Sequence, residues 1–466
     1  MTRNPELPPA PQRGCPSLER AASQPGSAPW GWLAAVMAAY AAALTLAPRL
    51  GGDEVLWLHW PFAFGWSLLA WLTDLRLRRQ GVQTAPFWPP AAALVGLGLL
   101  ALYRLHPFLG LRQTLWALVG LALFHLLLRP ASLLSSLRRR RGFWMGFSLL
   151  LTALTLAIGH SPTVAGPRLW LGCCGVYFQP SETLKLALLV YLAGQFADEG
   201  SFANVGAKPG RKPWAAFLGP LLAVTLPLAQ GDLGTALVLV MLGVSLLYLA
   251  RGWPWLPGAA LVGLVAAGVA GALFLPLVRL RVLAWLHPWA DPLGYGYQPI
   301  QAALALARGG LLGRGPGLGT PYRVPLAHSD FIFIALVEEL GLLGGTALLL
   351  LLVSLWLNAL QVAAQRQDLF GRLLAAGLGV HYGGQSLIIL GGNLRLLPVT
   401  GLPLPFLAYG GSALVVSFVG LALLLRLAPE AQPGAWQAWP RSLRRLAQGL
   451  GLGFLVVAVA LILAVG

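Results

Sequence analysis

Only 15 Asp and Glu residues stand in the 466-residue sequence, so an acid set near bases or inside an apolar run is a candidate for chemistry. In Gln179-Pro180-Ser181-Glu182-Thr183-Leu184-Lys185 an acid and a base lie three residues apart. On a helix begun after Pro180 they share a face and can pair. Ser181 and Glu182 also suit a helix N-terminus, so a capped helix with a structural ion pair is the plain alternative. An ionisable side chain inside a span costs about 2.5–3.5 kcal/mol on insertion scales, which favours a polar cavity around Lys185.

A second constellation, His287-Pro288-Trp289-Ala290-Asp291-Pro292, is followed by Gly294-Tyr295-Gly296-Tyr297-Gln298 and Gln301. Asp291 and Asp330 are the two acids between residues 279 and 337, set among Arg279, Arg281, Arg308, Arg314 and Arg323. A single carboxylate there can take a proton as a general base while guanidinium groups hold phosphate. A turn before Pro292 would use Asp equally well, and residue chemistry alone leaves both uses open. The glycine-rich stretch from Arg308 to Gly319 lacks the Gly-Lys-Ser/Thr ending of a nucleotide loop and follows no strand. Its glycines fit backbone lying close to other backbone better than a phosphate cradle. Glu338 and Glu339 lie about two turns into an apolar run, so at least one must face a polar interior. Leu396 to Phe406 carries three prolines and Gly401 before Tyr409-Gly410-Gly411-Ser412, which predicts a rigid re-entrant turn under protein cover.

The elements that must position these groups are membrane helices. Hydrophobic residues make up 57% and charged residues 10% of the chain, with a mean hydropathy of +0.72, far below the charged share of about a quarter in soluble domains. Apolar runs long enough to cross a hydrocarbon core of about 30 Å recur along the sequence. Thirteen begin near residues 30, 55, 87, 112, 143, 181, 214, 233, 255, 331, 371, 404 and 450. The run at 181 is short and charged, so periodicity alone allows an interfacial helix there.

Charge settles the parity, because Lys and Arg in short loops accumulate on the cytoplasmic side. With the N-terminus inside and all thirteen runs spanning, 21 basic residues fall inside, 10 outside and Lys185 within a span, together the 32 in the chain. Dropping the span at 181 would put Arg441, Arg444 and Arg445 outside, so it is retained, and the C-terminus is predicted outside. The loops at 161–180, 229–232, 279–330 and 392–403 then share the outer face. The net charge of +17 is spread in short clusters between apolar runs, which fits topology and not a nucleic-acid surface. Cys15, Cys173 and Cys174 form no disulfide framework and no metal spacing with the seven histidines. The segments expected are a disordered cytoplasmic tail over 1–29, additional N-terminal spans and the start of the membrane domain over 30–142, a core over 143–427, a basic cytoplasmic loop over 428–449 and a last span over 450–466.

Read in order, the polar segments resemble the SEDS family (FtsW, RodA and SpoVE). They are Gly166-Pro167-Arg168-Leu169-Trp170 before the Gln-Pro-Ser-Glu-x-x-Lys element, and Gly231-Asp232-Leu233-Gly234-Thr235-Ala236. Asp291 with Gly296-Tyr297-Gln298 follows, then His328-Ser329-Asp330-Phe331-Ile332-Phe333 with Glu338-Glu339-Leu340-Gly341, and Leu397-Pro398-Val399-Thr400-Gly401 through Tyr409-Gly410-Gly411-Ser412. The resemblance implies an all-α polytopic membrane protein of about 13 transmembrane helices. Ten form a SEDS-like core, with two extra spans before it and one after.

It further implies a peptidoglycan glycosyltransferase of the bacterial cytoplasmic membrane that polymerises lipid II, the undecaprenyl-pyrophosphate-linked disaccharide pentapeptide. The partner it implies is a class B penicillin-binding protein transpeptidase, and a divalent ion, Mg or Mn, would help neutralise the pyrophosphate. Asp291 matches the family's essential aspartate, the candidate base, and Glu182 and Lys185 match its Glu and Lys. The substrate-binding set expected around Asp291 is Lys185, Glu182, Arg168, Gln298, Gln301, Arg308, Arg314, Asp330, Glu338, Arg395 and Ser412. Two departures stand out: Gly-Pro-Arg-Leu-Trp replaces the more usual Gly-Ala-Arg-Arg-Trp, and Arg395 stands where many relatives have Gly. Arg395 thus offers from another loop the guanidinium lost beside Arg168. A lipid II flippase, or a scaffold without catalysis, is the rival expectation.

Overall fold

The computed structural model describes residues 30–46, 57, 59–81, 87–161, 166–202, 215–428 and 441–465. The tail expected over 1–29 with Cys15, the basic segment with Lys208, Arg211 and Lys212, and residues 429–440 of the expected basic loop lie outside the described residues.

Sixteen α-helices stand among the described residues. They are α1 (Trp30–Leu46), α2 (His59–Arg79), α3 (Trp88–Leu105), α4 (Pro107–Leu127), α5 (Leu133–Arg139), α6 (Arg141–Ile158), α7 (Pro180–Phe202) and α8 (Ala215–Ala229). After these come α9 (Leu233–Arg251), α10 (Leu256–Phe274), α11 (Pro276–Leu286), α12 (Tyr297–Gly309), α13 (Ile332–Gln365), α14 (Leu369–Asn393), α15 (Gly411–Leu427) and α16 (Arg441–Val465). The one sheet among the described residues is a hairpin of β1 (Leu171–Cys173) and β2 (Val176–Phe178) in register Leu171 to Phe178. The protein is thus an all-α polytopic membrane protein.

Each apolar run read from the sequence has a helix on it, and α5, α11 and α12 are short additions. Eight helices, α3, α4, α6, α9, α10, α13, α14 and α16, are long and apolar enough to cross a membrane, while α1, α8 and α15 are apolar but shorter. Two helices start furthest from where the sequence reading put them. Helix α15 starts at Gly411 because the chain before it carries Pro403 and Pro405 and has Phe406 at φ +63°. Helix α16 starts at Arg441, nine residues ahead of the expected span, since Arg, Leu and Ala of the basic segment are good helix formers.

Helix α7, the run open to an interfacial reading, has 23 residues, about 35 Å at 1.5 Å per residue, enough to span. Glu182 and Lys185 are tolerated in it because α7 packs among α6, α9 and α14 and both side chains are buried, so protein and not lipid surrounds them. Helix α14 forms the centre, packed against α7, α9 and α13. Small residues let neighbours approach it: a side chain at Gly383 would strike Trp356, and one at Gly384 would strike Met241. At the opposite extreme, α10 buries none of its residues and presents apolar side chains all round.

Candidate active site

The polar loops interlock at one end of the bundle. The Gln179 N–H donates to Ser412 Oγ at 2.8 Å, tying the entrance of α7 to that of α15, and Gln179 Nε2 reaches Asp232 at 3.4 Å. Asp232 caps α9 by accepting the Thr235 N–H at 3.0 Å. Trp285 Nε1 donates to the Arg395 carbonyl at 2.8 Å, Arg281 to that of Thr400 at 3.4 Å, and the Tyr409 N–H to that of His328 at 2.9 Å. The other end gathers basic residues: Arg138 and Arg141 pair with Asp198 at 2.7 and 2.5 Å, and Arg426 donates to the carbonyls of Leu128 and Pro130.

Asp291 follows a single 3-10 turn, Pro288–Ala290. Its Oδ1 accepts the Gly294 N–H at 3.0 Å and its Oδ2 the Tyr295 N–H at 3.3 Å. A Cβ at Gly294 would sit 2.0 Å from Oδ2, and one at Gly296 would sit 1.8 Å from the Pro288 carbonyl. Both glycines are therefore needed for the loop to close on the carboxylate. Asp291 is half-buried and takes part in no ion pair with the arginines of its segment. Each oxygen uses one of its two lone pairs on the backbone, and the others stay open to accept a proton.

Tyr295, whose N–H holds Asp291, also lines a cavity of about 300 Å³. Arg281, Trp285, Gln298, Asp330 and Arg395 supply its polar wall, and Leu277 and Leu280 of α11 its apolar one. Gln298 is fixed through Nε2 to the Pro325 carbonyl at 3.2 Å. Burial pushes the Asp330 carboxyl up to about 6, against the opposing pull of Ser329 and Arg281. The cavity thus joins Gln298, Asp330 and Arg395 from the expected set. It adds Arg281, read from the sequence as one of the arginines around Asp291 but not placed in the expected set, and Trp285, which sequence reasoning did not name, since nothing local shows that α11 folds back over the 395–401 loop.

Glu182 and Lys185 pair at 2.8 Å with side chains 2% and 0% exposed. Lys185 also donates to Gln385 at 3.2 Å, and Gln385 to the Pro403 carbonyl at 3.0 Å. The pair is sealed inside the bundle below Ser412 and does not line the cavity. Gln385 and His381, both buried on α14, complete this polar core. They were legible only as polar residues in an apolar run.

Arg308, Arg314 and Glu338 serve another region. Glu338 pairs with Arg308 at 3.2 Å and accepts from Thr320 Oγ1 at 3.1 Å, so the expected buried acid faces protein. Helix α13 breaks at Gly341, where φ is +70° and ψ −171°. Backbone groups freed there bond the glycine-rich segment: Arg314 N–H to the Glu338 carbonyl at 3.0 Å, Gly315 N–H to Glu339 at 2.9 Å, and Leu342 N–H to Gly310 at 2.9 Å. These glycines lie against backbone, as read from the sequence, and satisfy a broken helix at membrane depth. Arg168 is exposed beside the hairpin and Gln301 half-buried on α12; neither lines the cavity. Among the described residues no group of three His, Cys, Asp or Glu side chains could hold a metal ion.

A profile of the FtsW/RodA/SpoVE family, described as "Cell cycle protein", matches residues 97–432. It begins ahead of the 143 read from the sequence because the early helices are apolar and carry no motif. The peptidoglycan glycosyltransferase RodA of Mycobacterium bovis is 36% identical over 397 residues, covering 78% of this chain and 83% of that protein. The probable peptidoglycan glycosyltransferase FtsW of Thioalkalivibrio sulfidiphilus is 37% identical over 329 residues, covering 68% and 80%. A chain from the solved structure of a peptidoglycan synthase complex that coordinates polymerization and crosslinking superposes with a TM-score of 0.61 at 32% identity, over 73% of this chain and 95% of that one. With the profile spanning most of its length and the motifs meeting at one end of the bundle, the chain belongs to the FtsW/RodA/SpoVE family.

Proposed function

We propose that this protein is a peptidoglycan glycosyltransferase that polymerises lipid II at the outer face of the bacterial inner membrane, with Asp291 as the general base. The observation that carries the reading is the state of Asp291: half-buried, held by two backbone N–H groups, free of ion pairs, and joined through Tyr295 to a cavity with two guanidinium groups. The activity named for the relatives supports it.

In the reaction, the acceptor sugar hydroxyl gives its proton to Asp291 as its oxygen attacks the anomeric carbon of the donor. The bond from that carbon to the pyrophosphate oxygen breaks, and the pyrophosphate leaves with the electron pair. Arg281 and Arg395 are the cations that face the cavity, so charge developing on the leaving group is theirs to stabilise. Lys185, sealed with Glu182, acts on the site through the position of α7 and Gln385. A divalent ion would be carried by the pyrophosphate with one or two carboxylates, since Mg²⁺ needs no all-protein cage, and no step here depends on one. The N-terminus is inside and the C-terminus outside, and a class B penicillin-binding protein crosslinks the product strands.

The test uses Asp291→Asn, which keeps size and turn-forming ability but removes the proton acceptor. With purified lipid II in detergent, where there is no membrane to flip across, polymerisation falls by about 10² to 10⁴ while expression stays normal. A variant as fast as the wild type would remove Asp291 from the mechanism. A wild-type chain that moves lipid II across vesicles yet makes no glycan in detergent would establish the flippase instead.

A further inference from the structure

The tip of the β1–β2 hairpin carries two cysteines for which the proposed reaction has no use. Cys173 ends β1, where it pairs with Val176, and Cys174 with Gly175 makes the two-residue loop between the strands. Both loop residues have positive φ, +56° at Cys174 and +83° at Gly175, the backbone of a type I′ turn. Asn, Asp or Gly suits the first of these positions, whereas a cysteine there is held in a conformation that L residues avoid. Arg112 of α4 donates to the Gly175 carbonyl, which anchors the tip. Both thiols are free and exposed, so nothing in the fold shields them from a reagent.

Thiol–disulfide exchange needs access, a second sulfur within reach and a compartment where disulfides persist. On the orientation proposed above, the hairpin meets all three. Adjacent Cα atoms are about 3.8 Å apart, closer than the roughly 4.4–6.8 Å that relaxed disulfides span. A bond between the two sulfurs is therefore strained and easily reduced, and it forms only when the turn gives way. Giving way releases Cys174 from positive φ. Strain in the reduced turn thus offsets strain in the oxidised ring, which narrows the difference in free energy between the two forms.

We propose that Cys173 and Cys174 are a reversible dithiol–disulfide site whose reagent is a small disulfide of the outer compartment. The Cys174 thiolate attacks one sulfur of that disulfide, whose S–S bond breaks, and one thiolate leaves with the electron pair. The Cys173 thiolate then attacks Cys174 Sγ and expels the second thiolate. Two thiol protons are released, two electrons pass to the external disulfide, and a ring closes through the Cys173–Cys174 peptide. Closing it undoes the type I′ turn and the pairing of Cys173 with Val176. Strand β2 leads through Phe178 to Gln179, whose N–H is bonded to Ser412 Oγ, so the oxidised hairpin loosens the chain ahead of α7.

Full-length protein with Cys15→Ser, in which only the pair remains, provides the test. It is purified in detergent, reduced, freed of reductant and incubated with oxidised glutathione, and remaining thiols are blocked with iodoacetamide. Mass analysis of the hairpin peptide is expected to show mainly a species two hydrogen masses lighter than the dithiol, closed to iodoacetamide and restored by dithiothreitol. Cys174→Ser removes that species and leaves a glutathione adduct on Cys173. Cys174→Asn, which suits positive φ, also leaves only the adduct, and its melting temperature equals or exceeds that of the parent. Hydrogen exchange over residues 171–179 becomes several times faster on oxidation, while that of α12 is unchanged. Glutathione adducts on both sulfurs, or disulfide-linked dimers, in place of the lighter species would overturn the site. A closed ring with unchanged exchange along the hairpin would overturn the release of the turn.

Discussion

Lys185 shows what a single buried charge demands of its neighbours. It is fully enclosed and meets Glu182 at 2.8 Å and Gln385 at 3.2 Å, so removing it strands a carboxylate where no water can compensate. Breaking a buried pair from one side costs about 3–5 kcal/mol, whereas replacing both partners by neutral groups is often nearly neutral. Lys185→Met is therefore expected to lower the melting temperature strongly, and Glu182→Gln combined with Lys185→Met to recover most of the loss, as read by thermal unfolding in detergent. A double variant no more stable than the single one would show that the charges do not depend on each other. Polymerisation by a recovered double variant would confirm that the pair acts through structure, in contrast to Asp291, whose loss must remove activity without loss of fold.

At the scale of elements, the break in α13 and the glycine-rich segment form one unit. Neither is stable alone, since each leaves backbone groups unpaired at a depth where water is scarce. A Cβ at Gly313, where φ is +82°, would lie 2.2 Å from the Glu339 carbonyl oxygen. Gly252, with φ +70°, has nothing within 4 Å and closes α9 as an ordinary left-handed cap. Gly252→Ala is expected to cost about 1 kcal/mol for backbone alone, and Gly313→Ala clearly more, because the segment must move off the broken helix. Equal melting temperatures for the two variants would mean that the segment is not braced against α13. The sequence reading chose backbone contact over a phosphate loop correctly here, but the partner, a kink at Gly341 inside a long apolar run, has no signature that period or composition could reveal.

Across the whole molecule, charge and chemistry are sorted to opposite ends. Asp291, the cavity and the hairpin meet at one end, while Arg138, Arg141 and Arg426 line the other. The excess of basic residues is the ground for proposing that the second end is the cytoplasmic one. In a background with Cys15, Cys173 and Cys174 replaced by serine, a cysteine placed at Leu312 is expected to react with an impermeant thiol reagent in intact cells. One placed at Arg140 should react only after lysis. Labelling of the second site in intact cells would invert the topology and with it the outer-face site. The proposed orientation rests on a count along the chain, whereas the meeting of the 277–330 and 392–401 segments around one cavity has no such one-dimensional signal.

By itself the sequence determined the solvent of this protein, the positions of its long helices and its family, because hydropathy, charge and motif order are local or one-dimensional properties. It also marked Asp291, Asp330, Gln298 and Arg395 as residues to watch. Tertiary structure alone decided which of them share a cavity, that Arg281 and Trp285 join them, and that Glu182 and Lys185 do not. It alone showed that Arg395, with φ at +58°, occupies a backbone conformation suited to glycine. The reason is physical: contacts between residues more than a hundred positions apart, such as Trp285 with Arg395 or Lys185 with Gln385, depend on how helices pack. Packing is set by the fit of many side chains at once and not by the spacing of any one motif.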